Sequence, residues 1–506
     1  MALFQPDWAS RWALYQPEKM AVKEHETQRS LTYGDLNEQG NALAFHFQYT
    51  WKLEKGSRVA IISEFCLEYI VLFIAAQKTG VILVPLNYRL TSQELNYMLN
   101  DADPTVIIFQ EKFASLIQQS QHFAQIPQNI TIESIPDVWE ETQENHEELF
   151  EKVALEEKDP IFILYTSGTT GSPKGALYTH GMLFWNSINT SMSLLINSES
   201  RTVNCMPPFH TGGWNVLLTP LLHHGGYTCL LKKFDSEEVL ELLEAEKPTL
   251  FMGVPTMLNM ISKEHAFLHA DFSSLYYIIV GGEPMPIPLI ELWHQKGIAI
   301  RQGYGMTEVG PNLTSLHQKD AIRKKGSIGF PNFYLQTKIV NENGKEAETG
   351  EAGELLLKGP MVTPGYWKNP KETEAAFSDG WFHTGDQVRK DEEGYYYIVD
   401  RIKNMYISGG ENVYPAEVEK VILSHPEIRE VVVIGVPDPK WGESGRAYIV
   451  KKEGELNAST VIDFCKKRLA KYKVPKEVIF IDELPQNGTG KIDRKGLKAG
   501  ALAGGV

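Results

Sequence analysis

The alternation of apolar and polar positions divides the chain into a long first stretch and a shorter second one of different texture. Short apolar runs over 59–62, 81–84 and 105–109 alternate with helical stretches, which predicts βαβ units and a parallel sheet. Leu31-Thr32-Tyr33-Gly34-Asp35 reads as a strand end opening a helix, with Leu36, Ala42, Leu43 and Phe47 on its apolar side. The apolar stretch from Tyr69 to Leu86 is interrupted by Gln77, Lys78 and Gly80. It therefore reads as a buried helix, a turn and a strand rather than a membrane span. Residues 133–158 are rich in acids and predict a solvated connection between subdomains.

Beyond that connection the alternation resumes. Phe162-Ile163-Leu164-Tyr165 predicts a buried strand, and 227–231, 250–252, 276–280 and 299–301 predict more, with a helix over 237–246. From about Gly329 short strands and turns take over. Asn343-Gly344 separates strands at 336–340 and 354–358, and Glu393-Gly394 precedes a strand at 395–400, as in an antiparallel subdomain. After Asp400 come a helix opened by Pro415, strands at 431–436, 446–450 and 478–481, and a helix at 461–471. The expected fold class is α/β. A large N-terminal domain over 1–400 holds two α/β subdomains and a small β subdomain, and a small α+β domain over 401–506 follows.

Composition narrows the function. A chain of 506 residues is too long for one ordinary core, and a formal net charge of −15 argues against a nucleic-acid-binding face. The four cysteines, Cys66, Cys205, Cys229 and Cys465, form no C-x-x-C pair, so neither a zinc site nor a disulfide framework is expected. The N-terminus lacks a basic region followed by an apolar core, so no signal peptide is expected and a cytoplasmic location is. A homodimer is compatible with the sequence.

The chemistry gathers at strand ends. The 162–165 strand empties into Thr166-Ser167-Gly168-Thr169-Thr170-Gly171-Ser172-Pro173-Lys174-Gly175. Glycines there free backbone N–H groups to face an anion, the hydroxyls add donors and Lys174 adds charge, which suits a polyphosphate. The loop is not a Walker A motif, because Pro173 precedes Lys174 and Gly175 follows it. Two further strands end in Gly281-Gly282-Glu283-Pro284 and in Gln302-Gly303-Tyr304-Gly305-Met306-Thr307-Glu308. In open α/β sheets ligands bind beyond the carboxyl ends of the strands, so these three loops are expected to converge on one pocket. Tyr304 offers a flat face for adenine, Gly281 and Gly282 a slot without side chains, and Asp386 a carboxylate for ribose hydroxyls. Glu308 is a hard oxygen ligand suited to Mg²⁺, which needs few protein ligands.

Six motifs in order resemble those of the adenylate-forming (AMP-binding) enzymes, most closely their acyl-CoA synthetase branch. They are 165–175, Pro207-Pro208-Phe209-His210-Thr211-Gly212-Gly213, Tyr304-Gly305-Met306-Thr307-Glu308, Trp381-Phe382-His383-Thr384-Gly385-Asp386, Asp400-Arg401-Ile402-Lys403 and Gly488-Thr489-Gly490-Lys491. The resemblance implies a ligase for a hydrophobic carboxylic acid, fatty or aromatic, using ATP, Mg²⁺ and coenzyme A. It assigns catalytic roles to Lys491, Glu308 and Lys174, and a gating role to His210. It assigns the nucleotide to Thr166, Ser167, Gly168, Thr169, Thr170, Gly281, Gly282, Glu283, Tyr304, Gly305, Thr307, Asp386 and Arg401. The C-terminal domain is mobile in this family. A hinge is implied at Lys403, and Gly409, Gly410 and Trp441 are implied to meet coenzyme A, with Lys471 and Lys473 as candidates for its phosphates.

Three readings compete with that of a coenzyme A ligase, which the residues favour. An enzyme loading an acyl carrier protein instead of coenzyme A uses the same first step. A non-catalytic nucleotide-binding scaffold predicts loss of Lys491, Glu308 or Asp386, and all three are present. A luciferase-like oxygenase is a graft on the same scaffold. An amino-acid substrate is disfavoured, because His210 stands where an aspartate would hold an α-ammonium. The apolar residues Trp214, Val216, Leu217, Leu218, Phe251, Met252 and Val254 fit either a hydrophobic acid site or ordinary core.

Overall fold

The computed structural model describes residues 6–137, 139, 150–166, 173–282, 284–408, 411–439, 441–452, 455–469, 471–487 and 491–502. The chain divides into two compact units, Met1–Thr337 with Leu357–Phe382 and Lys338–Leu356 with His383–Val506.

In the first unit a six-stranded sheet runs in the order Gln128–Thr131, Val106–Phe109, Arg58–Ile62, Ile82–Pro85, Pro160–Thr166 and Lys174–Thr179. The first five strands are parallel and the last turns back antiparallel on its neighbour. Next to Pro160–Thr166, the strand Ile82–Pro85 follows the helix Leu67–Thr79, all thirteen of whose residues are buried. That helix is apolar on every side and stops at Gly80, whose φ of +74° suits glycine. Its one buried ammonium, Lys78, reaches Asp7 at 2.8 Å and Asn37 at 2.9 Å.

A second sheet runs Ser30–Thr32, Met20–Glu24, Tyr227–Leu230, Arg201–Asn204, and a third Leu250–Gly253, Tyr277–Val280, Ile300–Tyr304, Thr314–Ser315, Phe330–Pro331. Two of these strands carry no apolar run. Met20–Glu24 buries a charge, since Glu24 is 1% exposed and bridges Lys232 at 2.9 Å and Arg29 at 3.2 Å. Arg201–Asn204 buries Thr202 and Asn204. Buried polar groups with partners are affordable, but they erase the hydrophobic period.

The apolar residues near His210 join the core. Trp214 is fully buried, its ring 5.0–5.3 Å from those of Phe65, Tyr69, Phe73 and Phe162. Leu218 belongs to the same cluster, whereas Val216, Leu217 and Met252 form another and Phe251 and Val254 a third.

The second unit contains most of the strands Gln336–Val340, Ala352–Lys358 and Trp381–Lys390, and all of Tyr396–Arg401, which pairs antiparallel with Trp381–Lys390. Its other sheet runs Glu411–Val413, Tyr406–Ser408, Gly442–Lys451, Ile428–Asp438, with Glu477–Phe480 parallel to Gly442–Lys451. The helix Pro415–Leu423 packs on Ile428–Asp438, and Glu419 holds Arg494 of the last helix at 2.6 and 2.8 Å. The helix Ala458–Lys466 ends before the expected 471, and Lys471–Lys473 forms a separate 3₁₀ turn. All four cysteines are buried thiols. Among the described residues no helix is long and apolar enough to cross a membrane.

Candidate active site

The site grows from the strand Pro160–Thr166 and its antiparallel return Lys174–Thr179, which are in register from Phe162 to Thr166 and leave Thr166 opposite Lys174. Ser167, Gly168, Thr169 and Thr170, between them, lie outside the described residues, as do Glu283, Gly409 and Gly410. The return strand is flanked by the segment 363–367. Leu177 N–H donates to Gly365 O at 3.0 Å, Trp367 N–H to Gly175 O at 2.7 Å, and Thr363 Oγ1 to Leu177 O at 2.7 Å. This lays Tyr366 and the helix Pro370–Ala375 beside the exit of the phosphate loop.

Glu308 is the meeting point. It follows the strand Ile300–Tyr304 in a short turn, Thr307–Val309, and is 7% exposed. Its Oε1 lies 3.1 Å from the Tyr366 hydroxyl, which donates to it, and 3.5 Å from Thr166 Oγ1. Its carbonyl accepts from Thr363 N–H at 2.7 Å. Burial, then the neighbouring Glu308 carboxylate, pushes the Tyr366 phenol well above its ordinary range. Lys174 lies 5.4 Å from the centre of the Tyr366 ring and is ion-paired with Glu372. The ends of two of the three loop-bearing strands, with Thr166 and Glu308, are thus brought together around one carboxylate.

The third strand end is adjacent, since Tyr277–Val280 pairs in parallel with Ile300–Tyr304. Gly281 and Gly282 line an open place. A Cβ on Gly281 would meet nothing closer than Gly303 O at 3.8 Å, while Gly282 has a φ of +85°. Tyr304 is half-buried at the end of its strand. Gly305 has a different reason to be glycine, because a Cβ there would stand 2.0 Å from Pro311 O. His210 sits in the turn before the segment Gly212–Val216, its ring 4.7 Å from that of Phe209, and its carbonyl accepts from Gly213 N–H at 3.0 Å.

The oxygen donors fit a magnesium ion. Glu308 offers a hard, nearly buried carboxylate oxygen beside the hydroxyls of Thr166 and Tyr366. Among the described residues no group of three or more His, Cys, Asp or Glu could hold a metal by itself. An ion here would take its remaining ligands from phosphate oxygens and water, as Mg²⁺ commonly does.

In the second unit Asp386 is 2% exposed and lies opposite Arg401 in the antiparallel ladder. Thr384 Oγ1 donates to Leu355 O at 2.7 Å and accepts from Asp386 N–H at 3.1 Å, and Gly385 N–H donates to Glu354 at 3.0 Å. Asp400, next to Arg401, accepts from Ala416 N–H at 2.8 Å and from Asn404 at 3.2 Å, fastening the segment that holds Lys403 to the helix Pro415–Leu423. Trp441 lies in the turn between two strands, with Lys476 5.3 Å from its ring centre. Lys473 is bound to Glu417 at 2.7 Å, and Lys476, which lies outside the six motifs, is a cation beside Trp441. Lys491 is exposed, its backbone paired with Asn487.

Comparison with known proteins agrees over nearly the whole length. The profile of the AMP-binding enzyme family matches residues 9–367, and that of the AMP-binding enzyme C-terminal domain matches 417–491. The chain is 37% identical over 491 residues to a feruloyl-CoA synthase of Amycolatopsis, covering 96% of each. It is 36% identical over 481 residues to the long-chain-fatty-acid–CoA ligase FadD13 of Mycobacterium tuberculosis, covering 95% of each. The structure of the Bacillus subtilis o-succinylbenzoate CoA synthetase MenE with its acyl-adenylate intermediate superposes with a TM-score of 0.85 at 32% identity, covering 98% of each chain. On these matches, the chain belongs to the AMP-binding enzyme family, in its acyl-CoA synthetase branch.

Proposed function

We propose that the chain joins a hydrophobic carboxylic acid, fatty or aromatic, to coenzyme A by way of an acyl-adenylate. The acid carboxylate attacks the α-phosphorus of ATP, forming an O–P bond as the bond to pyrophosphate breaks. The coenzyme A thiol then attacks the acyl carbon, forming the thioester and releasing AMP. The observation that carries the reading is the convergence of Thr166 and Tyr366 on the buried Glu308 carboxylate, with Lys174 against the ring of that same Tyr366. Fixed hydroxyl donors and an ammonium beside a polyphosphate act by positioning and electrostatics, which is most of what phosphoryl-centre chemistry asks of a protein.

In this reading Thr166 and Lys174 bind the phosphates, Tyr304 and Gly281 take the adenine, and Asp386 and Arg401 hold the ribose. Glu308 would hold Mg²⁺, which when bound supplies charge neutralisation at phosphate oxygens. Lys491 stabilises the adenylation step, and rotation about Lys403 replaces it with the 409–410 segment and Trp441 for thioester formation. His210 guards the acid. The names of the relatives above support an apolar acid, fatty or aromatic. Trp214 and Leu218 do not bear on that choice, because they are core. The buried, unbridged thiols support a reducing compartment such as the cytoplasm.

The test is AMP release from ATP, with and without coenzyme A, across fatty acids of increasing length and several aromatic acids, with products read by mass spectrometry. Acyl-CoA appearing only with coenzyme A is the expected result. Acyl-AMP that forms but is not converted to acyl-CoA when coenzyme A is added would overturn the acceptor and point to a carrier protein. Lys491→Ala is expected to lower acyl-AMP formation by roughly 10²–10³-fold, and an unchanged rate would remove that lysine from the mechanism.

A further inference from the structure

The Lys174 ammonium, 11% exposed, is ion-paired with the Glu372 carboxylate. Glu372 does not arrive there by chance motion of a loop. It lies in the first turn of Pro370–Ala375, its N–H donating to the Asn369 side chain at 3.2 Å. Thr373 fastens the same turn, donating to Asn369 O at 2.9 Å and accepting from Tyr366 N–H at 2.9 Å. The approach is so close that a Cβ on Gly365 would stand 2.4 Å from the Thr373 side chain. A rigid element therefore presents one carboxylate to the lysine that follows the phosphate loop.

We propose that Glu372 is a built-in phosphate surrogate that competes with the polyphosphate chain for Lys174. The proposal rests on the reading of Lys174 as a phosphate ligand. A carboxylate and a phosphate offer an ammonium the same kind of anionic oxygen, and one close, charge-assisted contact displaces the other. Tyr366 links the two anionic sites, with its ring against Lys174 and its hydroxyl on Glu308. Two consequences follow. ATP entry must displace Glu372, and recapture of Lys174 by Glu372 helps pyrophosphate to leave after adenylation. Glu372 thus acts on the entry of ATP and on the departure of pyrophosphate through the same lysine.

The test uses the full chain in four forms: wild type, Glu372→Gln, Lys174→Ala and the double variant. Magnesium pyrophosphate binding is measured by calorimetry, and KM for ATP and inhibition by pyrophosphate are measured in the acyl-AMP assay. Glu372→Gln is expected to bind pyrophosphate about tenfold more tightly, with a matching fall in KM for ATP and stronger product inhibition. In the Lys174→Ala background the same substitution is expected to change neither constant. Glu372→Asp, which keeps the charge, is expected to return both values toward wild type. Weaker pyrophosphate binding by Glu372→Gln would overturn the proposal, making Glu372 a positioning residue for Lys174. So would an equal gain in the Lys174→Ala background, which is general charge repulsion. A wild-type protein that binds pyrophosphate this way yet forms no acyl-AMP would sink the assigned reaction while leaving the competition standing.

Discussion

Gly281 and Gly305 follow the ends of two adjacent parallel strands, yet their structural reasons for being glycine are opposite. At Gly305 an added methyl would stand 2.0 Å from Pro311 O, 2.3 Å from its carbonyl carbon and 2.7 Å from its Cα. Real contacts of this kind need more than 3 Å, so the backbone of one loop must move by about 1 Å, an overpacking cost of roughly 1–3 kcal/mol. A displacement of that size beside Tyr304 and Glu308 is expected to lower kcat/KM by about 10²-fold. At Gly281 the nearest atom to an added methyl is 3.8 Å away and φ is not in the left-handed region. Gly281→Ala is therefore expected to leave stability within ~0.5 kcal/mol of wild type and, on the proposed placement of the adenine, to raise KM for ATP. Denaturant unfolding and ATP-dependent acyl-AMP formation on both variants separate the two effects. A Gly305→Ala protein as stable and as active as wild type would refute the steric argument. An unchanged KM in Gly281→Ala would place the adenine elsewhere.

Glu308→Gln keeps an oxygen for Tyr366 and Thr166 but removes the charge; we expect near-wild-type thermal stability and adenylation slower by about 10²–10³-fold, measured by pyrophosphate exchange. Trp214→Ala empties the centre of an aromatic cluster and should cost about 3–5 kcal/mol in urea unfolding, with the acid preference of the surviving enzyme unchanged. Acid should destabilise the first unit in a defined window. Burial lowers His180 to about 4 and His223, stacked on Trp8, to about 3, both from 6.5. Below pH 6.5 the unfolded chain therefore takes up protons that the folded chain refuses. Stability is expected to be lost as pH falls from 6.5 toward 4, by up to ~1.4 kcal/mol per pH unit for each histidine. Unfolding at pH 7.5, 6 and 5 checks the slope, to which His224, His294 and His317, also lowered by burial, add, and His223→Gln should reduce it without abolishing it.

Much of the architecture was legible because its central strands are short, apolar and bounded by turn residues. Ile61, Leu83 and Ile108 are fully buried in parallel strands where the pattern places strands. The buried helix Leu67–Thr79 was recognisable by its interrupting Gly80 rather than by any amphipathic stripe. The strands at Met20 and Arg201 were hidden because Glu24, Thr202 and Asn204 are buried polar residues that break the apolar period, and the partner Lys232 that makes Glu24 tolerable lies far along the chain. The site was legible where a motif carries unusual residue types, as at Thr166, Lys174 and Glu308. Tyr366, Glu372 and Lys476 were not. A tyrosine, a glutamate and a lysine in polar segments carry no signal until the strand at 174–179 and its neighbour 363–367 bring two of them to Glu308 and Lys174, and a separate turn sets the third over Trp441.

The four cysteines acquire meaning from the chemistry around them. A mixed anhydride is a strong acylating agent, and any exposed protein thiolate would be a rival acceptor. Here Cys205 and Cys229 are pushed up to about 12 and Cys465 to about 11, and Cys66 is raised well above its ordinary range, in each case chiefly by burial. The enzyme is therefore protected from self-acylation by its own folding, with the thiol nucleophile left to arrive from solution. The same silence makes the protein a clean background for labelling. One cysteine introduced on the surface of each unit would be the only addressable thiols, and dye pairs on them would read the distance between the units through a catalytic cycle.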